Sequence, residues 1–131
     1  MRVFSFAQES TRYCNYSKAK FGSEITFIIP SWYATNKLDS LIADEGEGSF
    51  YFKSSLEYAE AYYFTLLEEG WTPQQARAVL PNALKTEVCM TGFLRDWEHF
   101  FDLRCDKAAH PQMRELAIPL KETFQKEGLI K

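Results

Sequence analysis

The segment Arg2 to Tyr13, RVFSFAQESTRY, limits this chain's possible folds more than any other. Val3, Ser5 and Ala7 alternate with Phe4 and Phe6, which predicts a strand with two distinct faces. Five polar residues, Gln8 to Arg12, then break it. A strand that ends in a polar turn suits an anion: Ser10 and Thr11 add hydroxyl donors to the backbone N–H groups. Arg12 can fork two parallel hydrogen bonds onto a phosphate while keeping its charge, and Arg2 is far enough upstream to meet a second anionic group. The same residues also fit an ordinary strand and turn with a solvated arginine.

The rest of the composition bounds what this segment can belong to. A chain of 131 residues is one domain at most, and 46% hydrophobic and 16% aromatic content argue for a packed core over disorder. The net charge of −3 lacks the basic excess of a general nucleic-acid or membrane-surface binder, so any anion site is a local arginine cluster. Cys14, Cys89 and Cys105 are odd in number and lack C-x-x-C spacing, which fits thiols in a reducing compartment. His110 follows Cys105 by five residues without a paired-ligand pattern, and no metal is expected. No apolar run reaches the length of a membrane span or signal peptide. The expected location is the cytoplasm.

Further along, residues 24–29 (EITFII) alternate and stop at Pro30, predicting a second strand. A short helical turn is expected around Leu38 to Ala43 and a loop over Asp44 to Gly48. From Phe50 to Glu69 apolar residues recur at helical spacing, and Gly70 supplies the stop. The tyrosines of this helix read as packing residues or as a platform for a ring. Thr72, Pro73 and Gln75 form an N-cap, first-turn proline and capping box for a helix ending near Leu80-Pro81. Lys85 to Met90 alternate as a third strand that Gly92 breaks. A helix is expected over Phe93 to Phe101, then an extended Asp102-Leu103-Arg104. The last helix spans Pro111 to Lys126 with Met113, Leu116, Ala117, Leu120 and Phe124 as one apolar stripe, kinked at Pro119. His110 reads as a surface cap.

Arg95 and His99 stand four apart on one helix face, with Arg104 just beyond, and Arg77 lies on the preceding helix. Alone, these residues also read as dispersed salt-bridge partners. Together with R-x-x-S-x-x-x-x-S-x-R-Y (Arg2, Ser5, Ser10, Arg12, Tyr13), QQARAVLP (Gln74 to Pro81) and LRDWEHFFDLRCD (Leu94 to Asp106), they make a chain that resembles the flavin-dependent thymidylate synthases, the ThyX family. That signature begins Arg-His-Arg. Here only its last Arg is present and Met1 stands at the His position, so the chain reads as a family member that begins inside its own motif and lacks the N-terminal half. Gln74 and Phe93 replace an acidic residue and an Asn seen in relatives.

The resemblance implies an α+β fold, a mostly antiparallel sheet flanked by helices, with residues 1–131 forming the C-terminal part of such an enzyme. It implies that Gln8, Glu9, Ser10, Thr11 and Arg12 hold dUMP, with Arg77 a further nucleotide contact supplied from another subunit. Arg104 would lie at the uracil ring, where a fixed positive charge favours the ionised N3 form and makes C5 more nucleophilic. Arg2, Gln8, Arg95 and His99 match positions that meet FAD. The implied reaction is reductive methylation of dUMP, with methylenetetrahydrofolate as carbon donor and NADPH-reduced FAD as hydride source, in a homotetramer whose sites are shared between subunits. No cysteine nucleophile is needed. Two other readings stay open: a folded, non-catalytic fragment, and a nucleotide or single-stranded nucleic-acid binding module using the arginines and aromatics.

Overall fold

Residues 3–18, 22–30 and 47–131 are described by a computed structural model. Their elements run β1 (Ser5–Gln8), α1 (Glu47–Glu68), α2 (Pro73–Ala76) continuing as a 3₁₀ turn (Arg77–Val79), β2 (Val88–Thr91), α3 (Leu94–Arg104) and α4 (Pro111–Lys126). Among the described residues this is an α+β fold with four α-helices, and β1 and β2 form a two-stranded antiparallel sheet. The chain divides into two compact units, residues 8–87 and residues 1–7 with 88–131.

In the unit of residues 8–87, α1 supplies the wall. Ala59 and Tyr63 are buried one turn apart, and Phe64, Leu66 and Leu67 pack partly against the cluster of Tyr16, Ile25, Tyr63 and Ala76. The helix ends as its glycine predicts. Gly70 has φ +87°, its N–H reaches the Leu67 carbonyl at 3.0 Å, and the Trp71 N–H reaches the Leu66 carbonyl at 2.9 Å. That left-handed residue closes the last turn in a Schellman arrangement. α2 starts where its cap predicts, with the Thr72 N–H donating to Gln75 Oε1 at 2.9 Å and Pro73 in the first turn. It tightens into 3₁₀ geometry and ends at Leu80, whose ψ of 133° is the extended conformation that a following proline favours.

Several expectations need correction or fall elsewhere. The strand expected over Lys85 to Met90 forms only from Val88 onward, as β2. The strand over residues 24–29 reduces to one antiparallel bridge, Phe27 with Leu84. Its neighbour Ile25 gives its N–H to the Glu60 carboxylate at 2.8 Å instead of to a strand. The expected loop over Asp44 to Gly48 already contains the first residues of α1, which begins at Glu47. The helical turn around Leu38 to Ala43 lies outside the described residues.

The other unit is built on aromatic rings. Trp97 and Phe101, one turn apart on α3, are buried, and Phe124 of α4 lies 5.3 and 5.2 Å from their ring centroids. Phe4 meets Trp97 edge-on at 5.0 Å. Such tilted and edge-to-face pairs each add about 0.5–1.5 kcal/mol beyond burial. Gly92 allows the approach, because a Cβ there would fall 2.5 Å from the Phe4 ring. α3 does not stop at Phe101: Asp102, Leu103 and Arg104 continue it, and the Cys105 N–H still reaches the Phe101 carbonyl at 2.9 Å. No Gly or Pro interrupts this stretch, and Arg104 in the last turn complements the helix dipole. α4 has the expected bounds, with His110 Nδ1 accepting the Gln112 N–H at 3.3 Å. Its apolar stripe is only partly used: Ala117 is buried, whereas Leu116 is 73% exposed.

Candidate functional site

The turn after β1 is held from both ends. On one side the Glu9 N–H donates to the Glu87 carbonyl at 2.9 Å, and Thr86 Oγ1 donates to the Glu9 carbonyl at 3.2 Å. On the other, the Ser10 carbonyl accepts the Tyr13 and Cys14 N–H groups at 3.0 and 3.1 Å, and Ser10 Oγ accepts the Arg12 N–H at 3.3 Å. Ser10 therefore keeps its own O–H to donate elsewhere. The Glu9 carboxylate accepts the Cys14 thiol at 3.4 Å.

This turn, the 3₁₀ turn after α2 and the segment before β2 line an open cavity of about 420 Å³. Gln8, Glu9, Ser10, Thr11 and Arg77, five of the residues expected at the nucleotide, line it, as do Asn82, Leu84 and Thr86. Arg77 Nη1 donates to Thr11 Oγ1 of the same chain at 3.1 Å. Arg12 is not in the lining. Its Nε donates to Gln74 Oε1 at 2.6 Å and its guanidinium lies 5.1 Å from the Tyr13 ring centroid. Neither arginine takes part in a salt bridge among the described residues, whereas Lys85, beside Thr86 in the chain, is paired with Glu87. That hydrogen bond raises the Lys85 ammonium pKa.

Beneath the turn, the Tyr63 hydroxyl donates to the Cys14 carbonyl at 3.3 Å, and the Tyr16 and Tyr63 rings meet at 5.5 Å. Burial pushes the Tyr16 phenol up to about 12, with the negative charge of Cys14, Glu9 and Tyr63 adding to the shift. Burial also raises Tyr63. Both phenols are uncharged at neutral pH and serve as structure.

The remaining expected residues lie on α3. Arg95 and His99 share one exposed face, and Arg104 is exposed in the last turn. The Arg95 guanidinium lies 5.5 Å from the Phe93 ring centroid and 3.8 Å from Asp96 Oδ1. Arg2 lies outside the described residues. The sequence reading missed Gln74, Asn82 and Thr86 as site residues. Thr86 was reachable, since it shares strand parity with Val88 and Met90. Gln74 was visible only as a departure from the family pattern, because its partner is 62 residues away.

This small α+β fold carries a candidate ligand site: a cavity lined by Glu9, Ser10, Thr11, Thr86 and Arg77 among others, with Arg12 held by the neutral Gln74. The sequence profile described as thymidylate synthase complementing protein matches residues 1–127, and the chain belongs to that family. It is similar to the flavin-dependent thymidylate synthase of Geobacter sulfurreducens, 31% identical over 120 residues, covering 91% of this chain and 46% of the relative. It is similar also to the enzymes of that name from Corynebacterium aurimucosum (31% identical, 97% of this chain and 51% of the relative) and Pyrococcus horikoshii (32%, 99% and 49%). The chain spans about half the length of the curated relatives it matches. Among the described residues no helix is long and apolar enough to cross a membrane, and no three His, Cys, Asp or Glu side chains are grouped to hold a metal.

Proposed function

We propose that residues 1–131 act as the C-terminal part of a flavin-dependent thymidylate synthase, in a cytoplasmic homotetramer that methylates dUMP to dTMP. The observation that carries this reading is the cradle itself: Ser10, Thr11 and Arg77 edge one cavity, with Arg12 held beside it. The name that the relatives share, flavin-dependent thymidylate synthase, supports the same activity. In this reading the nucleotide phosphate takes the Ser10 hydroxyl, the backbone donors of residues 10–11 and the two guanidiniums, the Glu9 N–H being already committed to the Glu87 carbonyl. Charge-assisted bonds of this type contribute about 1.5–3 kcal/mol each. Gln8 and Glu9 complete the substrate contacts.

Arg104 takes the catalytic role, its permanent charge favouring the N3-ionised uracil and so raising electron density at C5. The exposed Arg95 and His99, one turn apart, fit the anionic pyrophosphate of a dinucleotide, so they would hold FAD together with Arg2 and Gln8. When bound, FAD reduced by NADPH supplies the hydride, and methylenetetrahydrofolate supplies the one-carbon unit. The protein's part is to place dUMP and polarise its ring.

The test is a titration of the chain with FAD, with and without dUMP, following the flavin absorbance spectrum. A spectral shift that dUMP perturbs further is expected. Flavin uptake that dUMP leaves unchanged, or no uptake of either ligand, overturns the reading.

A further inference from the structure

Gln74 and Arg77 stand three residues apart across α2 and its 3₁₀ continuation, on neighbouring positions of one side. Thr11 and Arg12 face them from the turn after β1. The two resulting hydrogen bonds run in opposite directions. Arg12 Nε of the turn donates to Gln74 Oε1 of the helix at 2.6 Å, and Arg77 Nη1 donates to Thr11 Oγ1 of the turn at 3.1 Å. Each guanidinium is thus held through a neutral acceptor. Among the described residues the salt bridges are Lys53–Glu57, Lys85–Glu87 and Arg95–Asp96, and none includes Arg12 or Arg77.

The chemistry of that choice is specific. Binding an arginine by Nε uses one of its five N–H groups and leaves both terminal nitrogens able to fork onto an oxyanion. Fixing the side chain before ligand arrives removes part of the entropy cost of ordering it later. A carboxylate at position 74 would grip the same N–H more tightly but would offset part of the charge that a phosphate meets. An amide holds the arginine without spending its charge.

We propose that Gln74 is the positioning residue for Arg12, orienting its guanidinium for a nucleotide phosphate while leaving its charge available. This rests on the dUMP reading above. The test joins calorimetric dUMP titrations of the whole chain with NMR detection of the Arg12 Nε–H in the absence of ligand. Gln74→Ala should weaken dUMP roughly three- to tenfold, the range for one lost hydrogen bond. It should have no effect in an Arg12→Ala background, and it should leave deoxyuridine, which lacks the phosphate, unaffected. Gln74→Glu should keep the Nε–H protected from exchange yet bind dUMP more weakly than the wild type. Equal losses from Gln74→Ala with and without Arg12, or a Gln74→Glu chain that binds dUMP as tightly as the wild type, overturns the proposal. If the wild-type chain takes up no dUMP, the nucleotide reading fails instead. The ligand-free resonance then decides the positioning role alone: protection in the wild type and loss in Gln74→Ala supports it, and equal exchange in both overturns it.

Discussion

Tyr63 joins the wall of one unit to the segment that leaves the anion cradle, and two substitutions separate its contributions. The side chain is fully buried, its ring meets Tyr16 at 5.5 Å, and its hydroxyl donates to the Cys14 carbonyl at 3.3 Å. Tyr63→Phe keeps the ring and removes one hydrogen bond, a loss of about 0.5–1.5 kcal/mol. Tyr63→Ala empties the ring's space as well, and large-to-small changes of this size cost about 3–5 kcal/mol when neighbours collapse incompletely. Against a total stability of about 5–15 kcal/mol, the first is a modest shift and the second removes roughly a fifth or more. Urea denaturation followed by far-ultraviolet circular dichroism measures both, with m held constant as the check that the unfolding reaction is unchanged. If the two variants lose equal stability, or Tyr63→Ala loses under about 1.5 kcal/mol, the ring is not the keystone of this cluster.

The other unit and the alkaline limb supply two further predictions. Gly92→Ala places a methyl group 2.5 and 2.6 Å from Phe4 ring atoms and should cost about 1–3 kcal/mol by overpacking, read as a lower thermal midpoint. Adding Phe4→Ala should make the double variant less destabilised than the sum of the single ones, and strict additivity would show that the two residues do not meet. For Tyr16, the ordinary pKa is 10.0 and burial pushes the folded value to about 12, so in that window the folded chain retains a proton that the unfolded chain has released. Stability is therefore complete below about pH 10 and falls as pH rises toward 12, by at most about 1.4 kcal/mol per pH unit. Tyr16→Phe should flatten part of that decline in denaturation curves taken across the alkaline range, the raised Tyr63 supplying the remainder. An unchanged slope would separate Tyr16 from the effect.

The helices were legible where their ends carry local chemistry. Thr72-Pro73 with Gln75, the glycine at position 70, and His110-Pro111 are each sufficient within a few residues to start or stop a helix. Strands lack such self-sufficiency. The residues of EITFII alternate as a strand should, but the Ile25 N–H goes to Glu60, 35 residues away, and only Phe27 pairs with Leu84. Alternation reports which faces differ, not whether a partner is present. The α3 ending failed for a related reason. Asp102-Leu103-Arg104 reads as extended because it is too short for an element of its own, yet nothing there breaks the helix before it, and the Leu103 side chain ends more than half exposed.

The cradle divides the same way. Its near half, Gln8 to Arg12, is contiguous and could be read from donors, acceptors and a motif. Its far half, Gln74, Arg77, Asn82 and Thr86, is scattered over thirteen positions and enters only through tertiary folding. Arg77 was reached by resemblance to a family; Gln74 was noticed for what it replaces, and its role follows only from the atom it holds. A motif records the groups that touch a ligand, whereas the groups that orient them are chosen by geometry and charge. The pairing of Arg12 with an amide and of Arg77 with a hydroxyl has one consequence that neither residue shows alone. With both supports neutral, the hydrogen bonds that hold Arg12 and Arg77 do not themselves cancel either charge, in a chain whose net charge is −3. In an acidic protein, the proposed anion site depends as much on the neutral groups that hold its arginines as on having the arginines.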